Sequence, residues 1–254
     1  MEEPRKPVSE YSTKELRALC QGTAPDPARE SLVGRFTRIF SIYTTRFFLH
    51  TPVTPNQITV ISVIVFFTGI GCFFSSGQST QLLGAFLVLF SIVLDGSDGE
   101  TARFRKIAGR TGSNYTEPIS HDVQYGISFF LLGIAVYMQT GEAPYIILGS
   151  AASIAKLLYR FLEIRYWNLR YGLAVGKEKI EQLKGSHDTF SAPIRMFYFL
   201  NKNIYSQNGN FLMLLVAAFA GRLDLFVLFY GVSYVALWLL LFGKQVYQLG
   251  GDIV

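Results

Sequence analysis

The sequence predicts an all-α integral membrane protein, with six transmembrane helices and an N-terminal amphipathic interfacial helix. Three observations carry this. Only 16% of the 254 residues are charged and 50% are hydrophobic, whereas about a quarter of a soluble domain is usually charged. Apolar runs of about twenty residues, the length that crosses a ~30 Å hydrocarbon core, recur along the chain. Lys and Arg crowd alternate connections. The mean hydropathy of +0.30 agrees, and a water-soluble enzyme, a disordered chain and a disulfide-stapled scaffold are excluded. The only cysteines, Cys20 in a polar leader and Cys72 in an apolar run, read as reduced thiols.

Residues 1–30 are polar, lack the apolar stretch of a signal peptide and read as a cytoplasmic leader that resists burial. From Ala28 to His50, Leu32, Phe36, Ile39, Phe40, Tyr43, Phe47 and Phe48 recur at helical spacing, with Arg35, Arg38, Ser41 and Arg46 off the stripe. A helix packed on a soluble core would show the same stripe, but the membranous remainder of the chain favours a basic helix in the membrane interface. Residues 1–53 are therefore set apart as leader and interfacial helix, and 54–254 as the transmembrane catalytic domain.

Six segments follow, from Pro55 to Phe74, Gln81 to Arg103, Thr116 to Met138, Pro144 to Arg165, Gly209 to Ala220 and Leu223 to Val246. The fifth is the shortest. Three short connections carry a single basic residue, Arg222, whereas eight Lys and Arg precede Thr54, four fall between Arg103 and Arg110, and seven between Arg165 and Lys202. The positive-inside rule puts both termini and the basic connections in the cytoplasm, against anionic headgroups. That placement accounts for the net charge of +5 without a nucleic-acid partner. Tyr171 to Asn208, with its aromatic run from Met196 to Leu200, reads as an interfacial connector. Its Ser186-His187-Asp188 holds the residue types of a triad but not the geometry.

Ionisable groups deep in a span mark function or a paired structural role. The second span ends in Leu-Asp95-Gly-Ser-Asp98-Gly99-Glu-Thr-Ala102-Arg103. Asp95 and Asp98, three apart, share a helix face. Two bare carboxylates there repel unless a cation neutralises them, and oxygen-only donors suit Mg2+, Ca2+ or Mn2+. Such a pair alone could equally be a water-exposed helix end. Gly99 opens room for a ligand, and Arg103 offers a fork to a phosphate.

The longer string, Asp95-x-x-Asp98-Gly99-x-x-Ala102-Arg103, eight residues, then Gly112, resembles the signature of the CDP-alcohol phosphotransferases. Thr54-Pro55-Asn56-Gln57-Ile58-Thr59 resembles that family's opening of the first span. The resemblance implies a six-helix membrane transferase that moves a phosphoalcohol group from a CDP-alcohol donor to an acceptor hydroxyl and releases CMP in phospholipid synthesis. It also implies two divalent ions (Mg2+ or Mn2+), a cytoplasmic active site and a homodimer. Asp95 and Asp98 would be metal ligands, and Gly99, Ala102, Arg103, Asn56 and Thr59 would meet the substrate.

The family's last two acids fall at Thr116 and Ser120, neither of which is a carboxylate. One residue later stand Glu117 and His121, four apart on one helix face. A turn one residue longer, with Thr116 as helix cap and Pro118 in the first turn, would make Glu117 the third metal ligand and His121 the base. Glu117 could instead be a first-turn acid on the helix dipole, and His121 a hydrogen-bonded residue near the membrane surface. Thr116, Ser120 or Asp122 could hold the two roles instead.

In the fourth span Lys156 and Arg160 lie one turn apart at the depth of the acids and suit a phosphorylated acceptor. A snorkelling Lys156 and an Arg160–Glu163 pair is the plainer reading. CDP-diacylglycerol is the favoured donor, although a polar CDP-alcohol with a lipid acceptor fits almost as well. A degenerate member that binds CDP-alcohol without turnover is the alternative, and a channel or transporter a more distant one.

Overall fold

The computed structural model describes residues 7–22, 31–107, 111–171, 196 and 199–250, and every regular element among them is helical. After a 3-10 turn at Val8–Glu10 come α1 (Thr13–Cys20), α2 (Leu32–Leu49), α3 (Pro55–Cys72), α4 (Gln78–Phe104), α5 (Thr111–Thr140) and α6 (Pro144–Tyr171). A π-helical turn at Asn201–Tyr205 precedes α7 (Gln207–Ala220) and α8 (Leu223–Gly250). Most of the connector from Tyr171 to Asn208, with Ser186-His187-Asp188, lies outside the described residues.

Among the described residues five helices are long and apolar enough to cross a membrane, at Pro55–Cys72, Gln78–Phe104, Tyr115–Thr140, Pro144–Tyr166 and Leu223–Tyr247. The fifth predicted span corresponds to α7, whose 14 residues reach about 21 Å at 1.5 Å per residue, short of the hydrocarbon thickness. Helix starts follow local chemistry. Thr54 accepts the Gln57 N–H while the Gln57 side chain accepts the Thr54 N–H, and Pro55 takes the first position of α3, where a missing N–H is harmless. Ser12 and Glu15 form the same reciprocal cap on α1. At its far end α4 stops where Lys106 turns left-handed, with φ 55°, and the Ile107 N–H returns to the Ala102 carbonyl at 3.0 Å.

The chain divides into two compact units, Met1–Gln124 with Lys202–Gly221, and Tyr125–Asn201 with Arg222–Val254, so the boundary falls inside α5. In the first unit α3 and α4 approach through glycine. A Cβ at Gly84 would stand 2.5 Å from the Gly69 carbonyl oxygen and 2.7 Å from the Cys72 Cβ, so only glycine permits this backbone contact, as is usual between membrane helices. Phe66 packs on Phe211 of α7 at 5.1 Å between ring centroids. In the second unit the Phe129 ring of α5 meets Phe226, Tyr230 and Tyr234 of α8 at 5.4–6.0 Å.

Two expectations change. The polar leader is expected to resist burial, yet residues 7–22 fold, and Leu16 and Cys20 are buried against Ile42 and Phe104, with Val8, Tyr11 and Leu49 packed around them. Two buried residues on one short helix, with Val8 and Tyr11 ahead of it, suffice to dock it, whatever the average polarity. The helix expected to start after a Thr116 cap starts at Thr111, so Pro118 lies inside it. There the proline ring withholds the N–H that would have met the Asn114 carbonyl. Cys20 and Cys72 are both free thiols, as the composition predicts.

Helix α2 lies within the segment from Ala28 to His50, and its exposure is unlike that of a helix on a soluble core. Leu32, Phe36, Ile39, Phe40, Tyr43 and Phe47 are exposed, while Thr37, Ser41 and Thr45 are buried. Only Phe48 of the apolar stripe turns inward, onto Ile58 and Leu94.

The glycine contact makes a paired expectation. Gly84→Val should lower the thermal midpoint in detergent by an amount equivalent to about 1–3 kcal/mol or more. Gly71→Ala, in the same helix pair but with nothing within 4 Å of its added Cβ, should leave the midpoint unchanged or slightly raised.

Candidate active site

Helix α4 is apolar for four turns and then carries Asp95, Asp98 and Glu100 within six residues. At 100° per residue, Asp95, Asp98, Gly99 and Ala102 fall on one face and Glu100 and Arg103 on the adjacent one. Each carboxylate is met by a different part of the first unit. Asp98, 6% exposed, accepts a short hydrogen bond from the Thr59 hydroxyl of α3. Half-buried Asp95 faces His121 of α5, whose Nε2 lies 3.2 and 3.3 Å from its two carboxylate oxygens. Glu100, 2% exposed, accepts from Ser41 Oγ at 2.5 Å and Thr45 Oγ1 at 2.6 Å on α2, and from Gln21 Nε2 at 2.8 Å beyond the end of α1.

The two members of the altered register fare differently. His121 is brought onto the first acid of the motif. Glu117 is exposed, although its charge reaches Asp98 together with that of Asp95. The Ser120 hydroxyl turns back to the Glu117 carbonyl at 2.7 Å, which engages it within its own helix. Asp122 and Thr116 are half-buried.

Of the expected substrate contacts, Asn56 is exposed on the first turn of α3, whereas the Thr59 hydroxyl serves Asp98. Ala102 is buried. Arg103 is exposed, and its Nε donates to the Cys20 carbonyl. Its guanidinium lies over Gly99, where a methyl group would stand 3.3 Å from Nη1. Sequence reasoning missed Glu100, which occupies an unspecified position of the motif. A third acid in an apolar helix, with Ser and Thr on the face of α2 opposite its aromatic stripe, was the available signal.

Lys156 and Arg160 belong to the second unit. Lys156, 7% exposed, places Nζ 4.8 Å from the Tyr125 ring centroid and 4.7 Å from that of Tyr234. The Arg160 guanidinium lies 5.3 Å from the Tyr125 centroid. Both cations thus lie against π faces, which soften the burial of positive charge.

Among the described residues no three His, Cys, Asp or Glu side chains stand close enough to hold a metal ion together. Mg2+, however, is commonly held by one or two carboxylates, completed by waters and substrate phosphates. Asp95 and Asp98, two hard oxygen donors sharing a face with one of them buried, fit that mode of binding.

Paired acids, a glycine and an arginine thus stand together at the end of one long apolar helix. The model of the CDP-alcohol phosphatidyltransferase family matches residues 52–242, and the chain belongs to that family. Its members transfer phosphoalcohol groups in phospholipid synthesis and generally depend on divalent metal. No curated protein matches the sequence.

The Glu100 network yields its own expectation. Glu100→Ala leaves the buried Ser41 and Thr45 hydroxyls without this acceptor and should destabilise the detergent-solubilised protein by about 2–5 kcal/mol. Thr45→Val, which removes one donor, should cost about 1–2 kcal/mol. Equal midpoint shifts for the two would contradict the network.

Proposed function

We propose that the chain transfers a phosphoalcohol group from a CDP-alcohol, with CDP-diacylglycerol favoured as donor, to an acceptor hydroxyl on the cytoplasmic side of the membrane. The observation that carries this reading is the contact between His121 and Asp95, because it brings a side chain capable of taking a proton onto the matched motif. The acceptor oxygen bonds to the phosphorus nearest the donor's alcohol, the bond from that phosphorus to the bridging oxygen breaks, and CMP leaves. The acceptor's proton passes to His121. The Asp95 carboxylate, 3.2 Å from His121 Nε2, orients the imidazole for that task.

Asp95 and Asp98 would hold the divalent ions, Mg2+ or Mn2+, and Glu117, exposed and, among the described residues, outside any three-residue cluster, is the third acid by its sequence spacing alone. Bound there, the ions would neutralise the diphosphate and the leaving oxygen. The Thr59 hydroxyl fixes the Asp98 carboxylate, and Asn56, one turn earlier, faces the substrate. Arg103 meets a nucleotide phosphate over Gly99, and Ala102 keeps that face shallow. Most of the rate enhancement on this reading comes from positioning and electrostatics. Lys156 and Arg160 receive a phosphate of the acceptor, a role supported by their depth in the sequence.

The exposed apolar stripe of α2 supports its lying in the membrane interface. On this reading α7 makes the sixth crossing and both termini are cytoplasmic. Homodimerisation follows from the family alone. A member that binds CDP-alcohol without turnover is the competing reading.

Purified protein given Mg2+ and a panel of CDP-alcohols and acceptors should release CMP and form lipid product. Binding without CMP release would favour the competing reading. Asp95→Asn and Asp98→Asn should each abolish metal-dependent release in folded protein. Loss of a general base typically costs about 10²- to 10⁴-fold, so His121→Ala should lower kcat on that scale with CDP-alcohol affinity kept, whereas Glu117→Ala should raise the Mg2+ requirement. Silence of both, with Asp122→Ala, Thr116→Ala or Ser120→Ala inactive, would transfer the roles to those residues.

For the acceptor, loss of a charge-assisted contact is worth about 1.5–3 kcal/mol. Arg160→Ala should therefore raise the acceptor KM roughly tenfold or more with little change in the donor KM. An unchanged acceptor KM would remove Arg160 from the acceptor site.

A further inference from the structure

The family match begins at residue 52, yet residues ahead of it touch two positions of the motif helix. The Cys20 carbonyl receives Arg103 Nε, and Gln21 Nε2 donates to Glu100. Arg103 and Glu100 are three apart, on neighbouring positions of one α4 face, so the end of α1 grips α4 at two adjacent points. The grip is itself braced. Arg17 donates to the carbonyls of Arg38 at 3.1 Å and Ile39 at 2.9 Å, Gln21 Nε2 also reaches the Arg38 carbonyl at 2.8 Å, and Arg38 Nη2 returns to the Gln21 carbonyl at 2.6 Å. Leu16 and Cys20 supply the buried apolar anchor beneath these bonds.

An arginine side chain has several rotatable bonds, and a solvent-exposed one samples many rotamers. With Nε fixed on a backbone carbonyl, the guanidinium plane is set, and its Nη nitrogens stay above Gly99. We propose that the N-terminal segment 7–22 is a positioning element of the donor site, in which the Cys20 carbonyl, held by Gln21 on Glu100, presets the fork of Arg103 for a nucleotide phosphate. This rests on the reading of Arg103 as a phosphate contact. Gln21 and Glu100 act through Arg103 and touch no substrate.

The test is a double-mutant cycle on the full chain in detergent, with CMP and Mg2+ as probe and affinity read by titration calorimetry. Leu16→Ala and Gln21→Ala loosen the segment in two independent ways. Arg103→Lys keeps the charge and removes both Nε and the fork. Couplings between contacting groups commonly amount to about 0.5–3 kcal/mol, so each loosening substitution should weaken CMP roughly 3- to 10-fold beside Arg103. Neither should weaken it further beside Arg103→Lys. Equal weakening in both backgrounds, or undiminished CMP affinity in both loosened variants, overturns the proposal. If Leu16→Ala does not fold, Gln21→Ala at a half-buried position decides alone. Intact protein that binds CMP but releases none from any CDP-alcohol defeats the catalytic reading and leaves the cycle to judge the positioning one. Intact protein that binds no CMP overturns both.

Discussion

Three carboxylates within six residues of one apolar helix set the terms for the first unit. A charge removed from water needs a partner or a cation, and each acid finds its partner on a different element. Asp98 takes the Thr59 hydroxyl of α3, Asp95 faces His121 of α5, and Glu100 takes donors from α2 and the end of α1. The motif helix thus gathers its neighbours by electrostatics where its apolar residues, lying against other apolar surfaces, would specify little. Membrane helices lack a strong hydrophobic drive to associate with one another, which gives these polar contacts their weight in selecting one arrangement. Gly69 and Gly84 add the steric half by letting α3 and α4 touch backbone to backbone.

Much of this could be read in the sequence, for physical reasons that differ by element. The long apolar runs became α3, α4, α5, α6 and α8 because hydrocarbon thickness imposes a minimum length that composition reveals. The start of α3 was legible because Thr54, Pro55 and Gln57 each act locally. The onset of α5 was not, because a proline is harmless only in a first turn, and nothing local prevents a helix from beginning seven residues earlier and carrying it inside. The leader was misjudged because average polarity says little about a segment in which two residues one turn apart, Leu16 and Cys20, face inward together.

At the site, Asp95 and Asp98 were legible as neighbours on one helix face, and the fold sets His121 beside Asp95. Glu100 was invisible because a motif's unspecified positions draw no attention, and because its partners lie 55 to 79 residues away. Thr59, expected at the substrate, hydrogen-bonds to the Asp98 carboxylate. The tyrosine rings around Lys156 come from α5 and α8, a tertiary meeting that no local pattern encodes.

The polarity of α2 bears on the order in which the chain can assemble during synthesis. Its buried Ser41 and Thr45 hydroxyls lack their Glu100 acceptor, and the Cys20 carbonyl lacks its Arg103 donor, until α4 has been made, 55 to 83 residues later in translation. Before then, the exposed aromatic stripe can already rest at a lipid surface, since that contact needs nothing from the rest of the chain. The N-terminal segment would thus wait on the bilayer, and its docking would follow the arrival of the helical hairpin that α3 and α4 make. A nascent chain whose α4 failed to insert would leave the aromatic face on the membrane with its hydrogen-bonding face unmet, a state that quality-control machinery could recognise.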